Sequence, residues 1–167
     1  DRRTIAVTGA NGFIGRAICA RLADLGHRVR ALTRSTMRVA EVEGPSPMGT
    51  SGGAVPKDLF DSCDTVVHCA ARVHVTRRED PDQALAAYRA INRDLALELA
   101  GLAREAGVSR FIQISSVAAI GTSSATILRD GDPEHPVSPY GIAKLEADRA
   151  LSEMTSPRFT VISLRFP

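Results

Sequence analysis

Three glycines spaced three apart, Gly9, Gly12 and Gly15, follow directly on the β-branched run Thr4-Ile5-Ala6-Val7-Thr8 and lead into a helical pattern. This spacing constrains the fold more than any other feature of the 167 residues. A phosphate must approach the backbone closely, and side chains would obstruct it. Gly9 permits the tight turn, Gly12 the close approach, and Gly15 lets a helix pack on the sheet. The helix N-terminus then offers free N–H groups and partial positive charge to a pyrophosphate. The segment Gly9, Asn11, Gly12, Phe13, Ile14 and Gly15 is therefore expected to hold a dinucleotide. A glycine triplet alone also fits a plain strand-to-helix turn, and the strand before it and helix after it select the phosphate reading.

The rest of the chain repeats that alternation. Residues 13–25 have helical spacing, with Gly26 as a stop. Residues 29–33 read as a second strand and 39–43 as a weak third. A glycine- and proline-rich stretch over 44–57 reads as a flexible loop. Strands follow at 65–69, 110–115 and 159–164; helices at 83–106, stopped by Gly107, and from Ser138 to about 154. Most strands are apolar on both faces, as in a parallel sheet covered on both sides. The expected fold is a single α/β domain over 1–167, a doubly wound parallel sheet of the Rossmann type.

Composition narrows the function classes. A net charge of +2 gives no reason to expect nucleic acid or an acidic membrane as partner. No apolar run reaches membrane-spanning length. Cys19, Cys63 and Cys69 lie in no C-x-x-C spacing and read as reduced thiols of a cytoplasmic protein. His68, His74 and His135 have no metal-ligand spacing, so no metal is expected. Arg72, Arg77 and Arg78 read as a solvated basic loop, and Glu79, Asp80 and Asp82 as caps of the following helix.

Two further segments carry chemistry. At the end of the second strand, Thr33-Arg34 stands where an acidic residue would hold a ribose 2′-hydroxyl. A guanidinium suits a 2′-phosphate, by ~1.5–3 kcal/mol for a charge-assisted bond, so NADP is favoured over NAD. Ser138-Pro139-Tyr140-Gly141-Ile142-Ala143-Lys144 opens a helix, with Ser138 as N-cap and Pro139 at the first position. Tyr140 and Lys144 share one helical face. A phenol with pKa near ~10 needs about 4 kcal/mol to become a usable base at neutral pH. One ammonium ~4 Å away supplies about that much. Ser115-Ser116 close the preceding strand at the carboxyl edge of the sheet, where Ser116 can donate to a substrate oxygen.

With these motifs in order, the chain resembles the extended short-chain dehydrogenase/reductase family of sugar-nucleotide epimerases, dehydratases and reductases. T-G-A-N-G-F-I-G, Val67-His68-Cys69-Ala70-Ala71, Asn92 in A-I-N-R-D-L, Ser115 to Gly121, the Tyr140 and Lys144 pair, and Leu164-Arg165-Phe166-Pro167 carry the resemblance. Counting back from Gly121 makes Ser116, with Tyr140 and Lys144, the catalytic set. Cys69, Ala70, Ala71, Asn92 and Ser115 join the cofactor-binding residues, as do Tyr140 and Lys144. A-A-R-V-H-V and S-P-Y-G-I-A-K-L-E-A resemble bacterial surface-polysaccharide members. The resemblance implies a nucleotide-sugar substrate and hydride transfer at C4 of a UDP-hexose, as in a 4-keto-6-deoxy-hexose reductase. A UDP-hexose 4-epimerase with tightly bound NAD is the alternative within the class. A non-catalytic NADP-sensing module is the alternative outside it. The helix pair 83–106 and 138–154 implies a homodimer. Two departures stand out: Glu43-Gly44-Pro45 replaces the acidic residue that follows the third strand and contacts adenine, and the C-terminal substrate part is absent from this chain.

Overall fold

The computed structural model describes residues 2–33, 43–47, 55–73, 80–121, 127–129 and 131–167. β1 (Thr4–Thr8), α1 (Phe13–Asp24), β2 (Arg28–Thr33), β3 (Glu43–Pro47) and β4 (Thr65–His68) form the first half. α2 (Pro81–Arg89), α3 (Leu95–Glu105), β5 (Arg110–Ser116), α4 (Pro139–Ser152) and β6 (Thr160–Phe166) form the second. The six strands pair in parallel, in the order β3-β2-β1-β4-β5-β6. That order reverses between β1 and β4, and ligands of open α/β sheets bind outside the carboxyl ends of the strands at such a reversal. The doubly wound fold expected from the sequence is the fold observed.

Both sheet faces are covered. On one, Val66, Phe111 and Phe159 pack with Leu99, Ala100 and Ala103 of α3 and Leu151 of α4. On the other, Ile5, Val7, Val29, Ala31 and Val67 pack with Cys19 of α1. Small residues on α3 let it lie close to the sheet, where each fully buried large side chain contributes roughly 1.5–3 kcal/mol.

Glycine ends two of the helices as expected. Gly26 and Gly107 take φ of +79° and +78°, and the N–H of His27 and of Val108 each reach back to close the last turn, on Leu22 and Ala103. Asp80 caps α2 by accepting from the N–H of Asp82 and Gln83.

Three expectations need correction. The third strand lies at Glu43–Pro47, meeting the expected strand at Glu43 and running on into the stretch read as loop; residues 39–42 and 48–54 fall outside the described residues. It borders only β2, and prolines are tolerated on such an edge because a ladder bond is lost on one side alone. The long helix read over 83–106 is not continuous: a π-helical segment, Ala90–Asp94, joins α2 to α3. Finally, β6 runs to Phe166, because it pairs residue for residue with all of β5, and Phe159 instead closes a turn with Ser156.

Candidate active site

The site grows from the carboxyl ends of β1, β4 and β5. β1 ends at Thr8, whose side chain hydrogen-bonds His68 Nδ1 at 2.7 Å and accepts from the Ala70 N–H at 3.3 Å. These bonds fix the end of β4 against the start of the glycine turn. Gly9 follows at φ +63°, and a Cβ there would sit 2.7 Å from the Ala70 nitrogen. A Cβ on Gly15 would sit 2.2 Å from the Gly9 carbonyl oxygen. The first and third glycines are thus required by the fold's own packing. α1 starts with no side-chain cap on its first turn, which leaves its N–H groups for an anion.

Gly9, Asn11, Gly12, Cys69, Ala70 and Ala71 line one concavity of about 170 Å³. Phe13, the first residue of α1, is 89% exposed. The glycine cradle and the open helix N-terminus fit a dinucleotide pyrophosphate, and Ile91 and Leu95 close the cavity on the other side. Asn92 lies in the π segment, fully buried. It accepts from the Arg72 N–H at 2.7 Å and donates to the Arg72 carbonyl at 3.0 Å. Its amide therefore pins the segment after β4, and a π turn is a common means of turning one side chain out of a helical register.

Ser116 ends β5 and caps the 3₁₀ turn Val117–Ala119, accepting from the Ala118 N–H at 3.2 Å. α4 docks against that turn: a Cβ on Gly141 would lie 2.2 Å from the Ala118 carbonyl oxygen. Ser138 caps α4 through the Gly141 N–H at 3.0 Å. This docking brings Tyr140 to the cavity that Ser116 lines, where the serine hydroxyl favours the ionised phenol. Both line a cavity of about 550 Å³ with Tyr88, Ser138 and Gly121. Tyr88 of α2 meets the Tyr140 ring edge-on at 5.9 Å, and the Arg72 guanidinium lies 5.4 Å from the Tyr88 ring centre. A larger cavity, about 610 Å³, lies along α4 and β6 and includes none of Ser116, Tyr140 or Lys144.

Lys144 is 1% exposed and donates to the Ile114 carbonyl at 2.6 Å. Burial pulls its ammonium down to about 8, and Asp148 works in the opposite direction. Burial raises the Tyr140 phenol above its ordinary value, and the neighbouring Ser116 hydroxyl counters this. The sequence led us to expect Lys144 to lower the phenol directly. In the structure the ammonium is turned to a backbone carbonyl, and Ser116 is the group that favours the phenolate. His68, stacked 5.8 Å from Phe111, is held down to about 3 by burial and by the Lys144 charge.

Not every expected residue faces the cavities. Ser115 is buried and donates to Asp148 Oδ2 at 2.8 Å instead of lining the cavity. Thr33 is fully buried at the end of β2, and Arg34 lies outside the described residues, as do Arg77, Arg78 and His74. The three thiols are free, and burial lifts Cys19 to about 11 and Cys69 to about 12, so neither is a nucleophile at neutral pH. Among the described residues no three His, Cys, Asp or Glu side chains gather as a metal site needs, and no helix is long and apolar enough to cross a membrane. Sequence reasoning missed Thr8, Tyr88, Gly141 and Asp148. Gly141 alone left a signal: a glycine within a helix marks close backbone approach.

Comparison with known proteins agrees with this geometry. The model of the NAD dependent epimerase/dehydratase family matches residues 5–167. A UDP-glucose 4-epimerase of Vibrio cholerae is 30% identical over 155 residues, covering 89% of this chain and 46% of that protein. A dTDP-4-dehydrorhamnose reductase of Mycolicibacterium smegmatis is 30% identical over 148 residues, covering 88% and 41%. Among solved structures, MoeE5 in complex with UDP-glucose and NAD superposes with a TM-score of 0.81 at 26% identity, covering 98% of this chain and 54% of that one. The chain spans about half the length of the relatives it matches.

Proposed function

Since the chain belongs to the NAD dependent epimerase/dehydratase family, we propose that it is the cofactor-binding part of an enzyme that moves hydride at C4 of a UDP-hexose, a 4-keto-6-deoxy-hexose reductase of surface-polysaccharide synthesis. The observation that carries this is that Ser116 and Tyr140 line one cavity, next to a glycine cradle at the sheet's reversal. The dinucleotide, when bound, supplies or accepts the hydride. Gly9, Asn11, Gly12, Phe13, Ile14, Gly15, Ala70 and Ala71 would hold it, with Asn92 positioning the segment beyond Ala71. Tyr140 exchanges the proton of the sugar O4. Ser116 donates to the same oxygen and orients the phenol. Lys144, one turn along α4, keeps positive charge at the carboxyl end of β5, bonded to the Ile114 carbonyl, and joins the set as a cofactor-binding group. The arrangement is that of an acid/base whose partner groups are set before substrate arrives.

The reductase reading with NADP rests on Thr33-Arg34. A UDP-hexose 4-epimerase with retained NAD is the second reading, favoured by the similarity to UDP-glucose 4-epimerase and to an NAD complex. We further propose a homodimer through α2, α3 and α4, and a cytoplasmic location. The test measures turnover of a UDP-4-keto-6-deoxy-N-acetylhexosamine with NADPH against UDP-glucose with NAD, in the protein with its substrate-binding part. Consumption of NADPH with the keto sugar is expected. Interconversion of UDP-glucose without net cofactor use selects the epimerase. Cofactor binding with neither activity selects the sensing module.

A further inference from the structure

Below the catalytic cavity lies a second set of ionised groups that the proposed chemistry leaves unused. Asp148 is one helical turn beyond Lys144 on α4 and 5% exposed. Its Oδ2 accepts from Ser115 Oγ at 2.8 Å and from Arg165 Nε at 3.1 Å, while its Oδ1 is buried with no hydrogen-bond partner among the described residues. Arg165 of β6 also pairs with Glu134, which Arg149 of α4 holds from the other side at 3.0 Å. The chain Arg149, Glu134, Arg165, Asp148 and Ser115 thus ties α4, β5, β6 and the segment before Ser138 to one buried carboxylate.

A carboxylate is costly to bury unless it does something for its neighbours. An isosteric amide would satisfy Ser115 equally well. Arg165 shares its charge with Glu134, and the other buried cation, one turn away on α4, is Lys144, an ammonium with almost no exposure that bonds a neutral carbonyl. The other groups around it do not supply a negative charge: His68 of β4 and Cys69 just after it are held neutral by burial, and the Tyr140 phenol of α4 is held above its ordinary value.

We propose that Asp148 is a positioning residue for the active-site lysine: held by Ser115 and Arg165, it keeps the Lys144 ammonium charged and seated on the Ile114 carbonyl. The inference rests on the reading of Lys144 as part of the catalytic set. Burial lowers the lysine to about 8, and Asp148 opposes that fall.

Lys57, the other lysine of these 167 residues, is exposed. In the ¹³C-lysine-labelled protein, the Lys144 signal is assigned by its loss in Lys144→Met, and its titration is followed by NMR with Lys57 as internal control. Asp148→Asn is expected to lower the Lys144 midpoint by a pH unit or more. Asp148→Glu should restore it, and Arg165→Met should raise it by leaving Asp148 unbalanced. Shifts of opposite sign cannot come from general loosening, and Arg165→Met still reads the coupling if Asp148→Asn does not fold. An unmoved midpoint in Asp148→Asn, or a fall in Arg165→Met, overturns the proposal. The pH profile of kcat is measured alongside. A profile whose alkaline limb moves about tenfold in proton concentration with the midpoint supports both readings. A moved midpoint with an unmoved profile keeps the Asp148 coupling and removes Lys144 from the catalytic set.

Discussion

His68 shows how one buried side chain couples stability to pH. Its imidazole bonds Thr8 through Nδ1, and its Nε2 is buried without a partner among the described residues. Folding therefore holds it neutral, down to about 3 against 6.5 when free. A depressed folded value means the unfolded state takes up the proton first as pH falls. The stability His68 contributes is full above about 6.5 and is lost as pH drops toward 3. Thermal melts should show Tm falling from pH 6.5 to 5.5, above the range of ordinary carboxylates. His68→Leu should flatten that slope; an equal slope in both proteins would assign it elsewhere. Neither Thr8 nor His68 was legible as a pair. The sequence placed each at a strand end, but the bond between them joins residues 60 apart, and no local spacing encodes it. The same holds for Asp148 and Arg165. The positions of Tyr140, Lys144 and the glycines were legible because spacing within one turn or one helix sets them.

At the scale of elements, the decisive contact is α4 against the 3₁₀ turn after β5. Its tolerance is set by Gly141, which lets the helix approach the Ala118 carbonyl. Gly141→Ala should cost about 1–3 kcal/mol of stability through overpacking. It should also reduce turnover more than cofactor affinity, because it moves Tyr140 and leaves the glycine cradle alone. Denaturant melts together with NADPH titration check this, and equal losses in both would show that the two cavities are not separable. Asp80→Ala, by contrast, removes only the cap of α2 and should cost ~1 kcal/mol with activity unchanged. Helix and strand positions were readable from period and from glycine stops. The π segment was not, because its apolar pattern continues through it and only the reach of Asn92 to Arg72 reveals the extra residue. The edge strand β3 was hidden by its own glycine and prolines, which disfavour a strand until β2 offers one side to pair with.

Over the whole molecule, the parallel order with its reversal between β1 and β4 brings the glycine turn, the end of β4 and the Ser116–Tyr140 pair to one sheet edge. The alternation of elements made that fold legible, whereas sugar choice was not, since the chain spans about half of its relatives. Cofactor choice is tested at this scale by affinity ratios. If Arg34 holds a 2′-phosphate, Arg34→Ala should reduce the NADPH-over-NADH preference about 10- to 150-fold, the equivalent of one charge-assisted bond; an unchanged ratio would favour the NAD-retaining epimerase. The central claim is that a phenol beside a glycine-cradled dinucleotide performs the proton step. Tyr140→Phe, in the protein with its substrate-binding part, is the most direct measurement of it. Turnover should fall roughly 10²–10⁴-fold with the Kd for NADPH unchanged, and retained turnover would contradict the account.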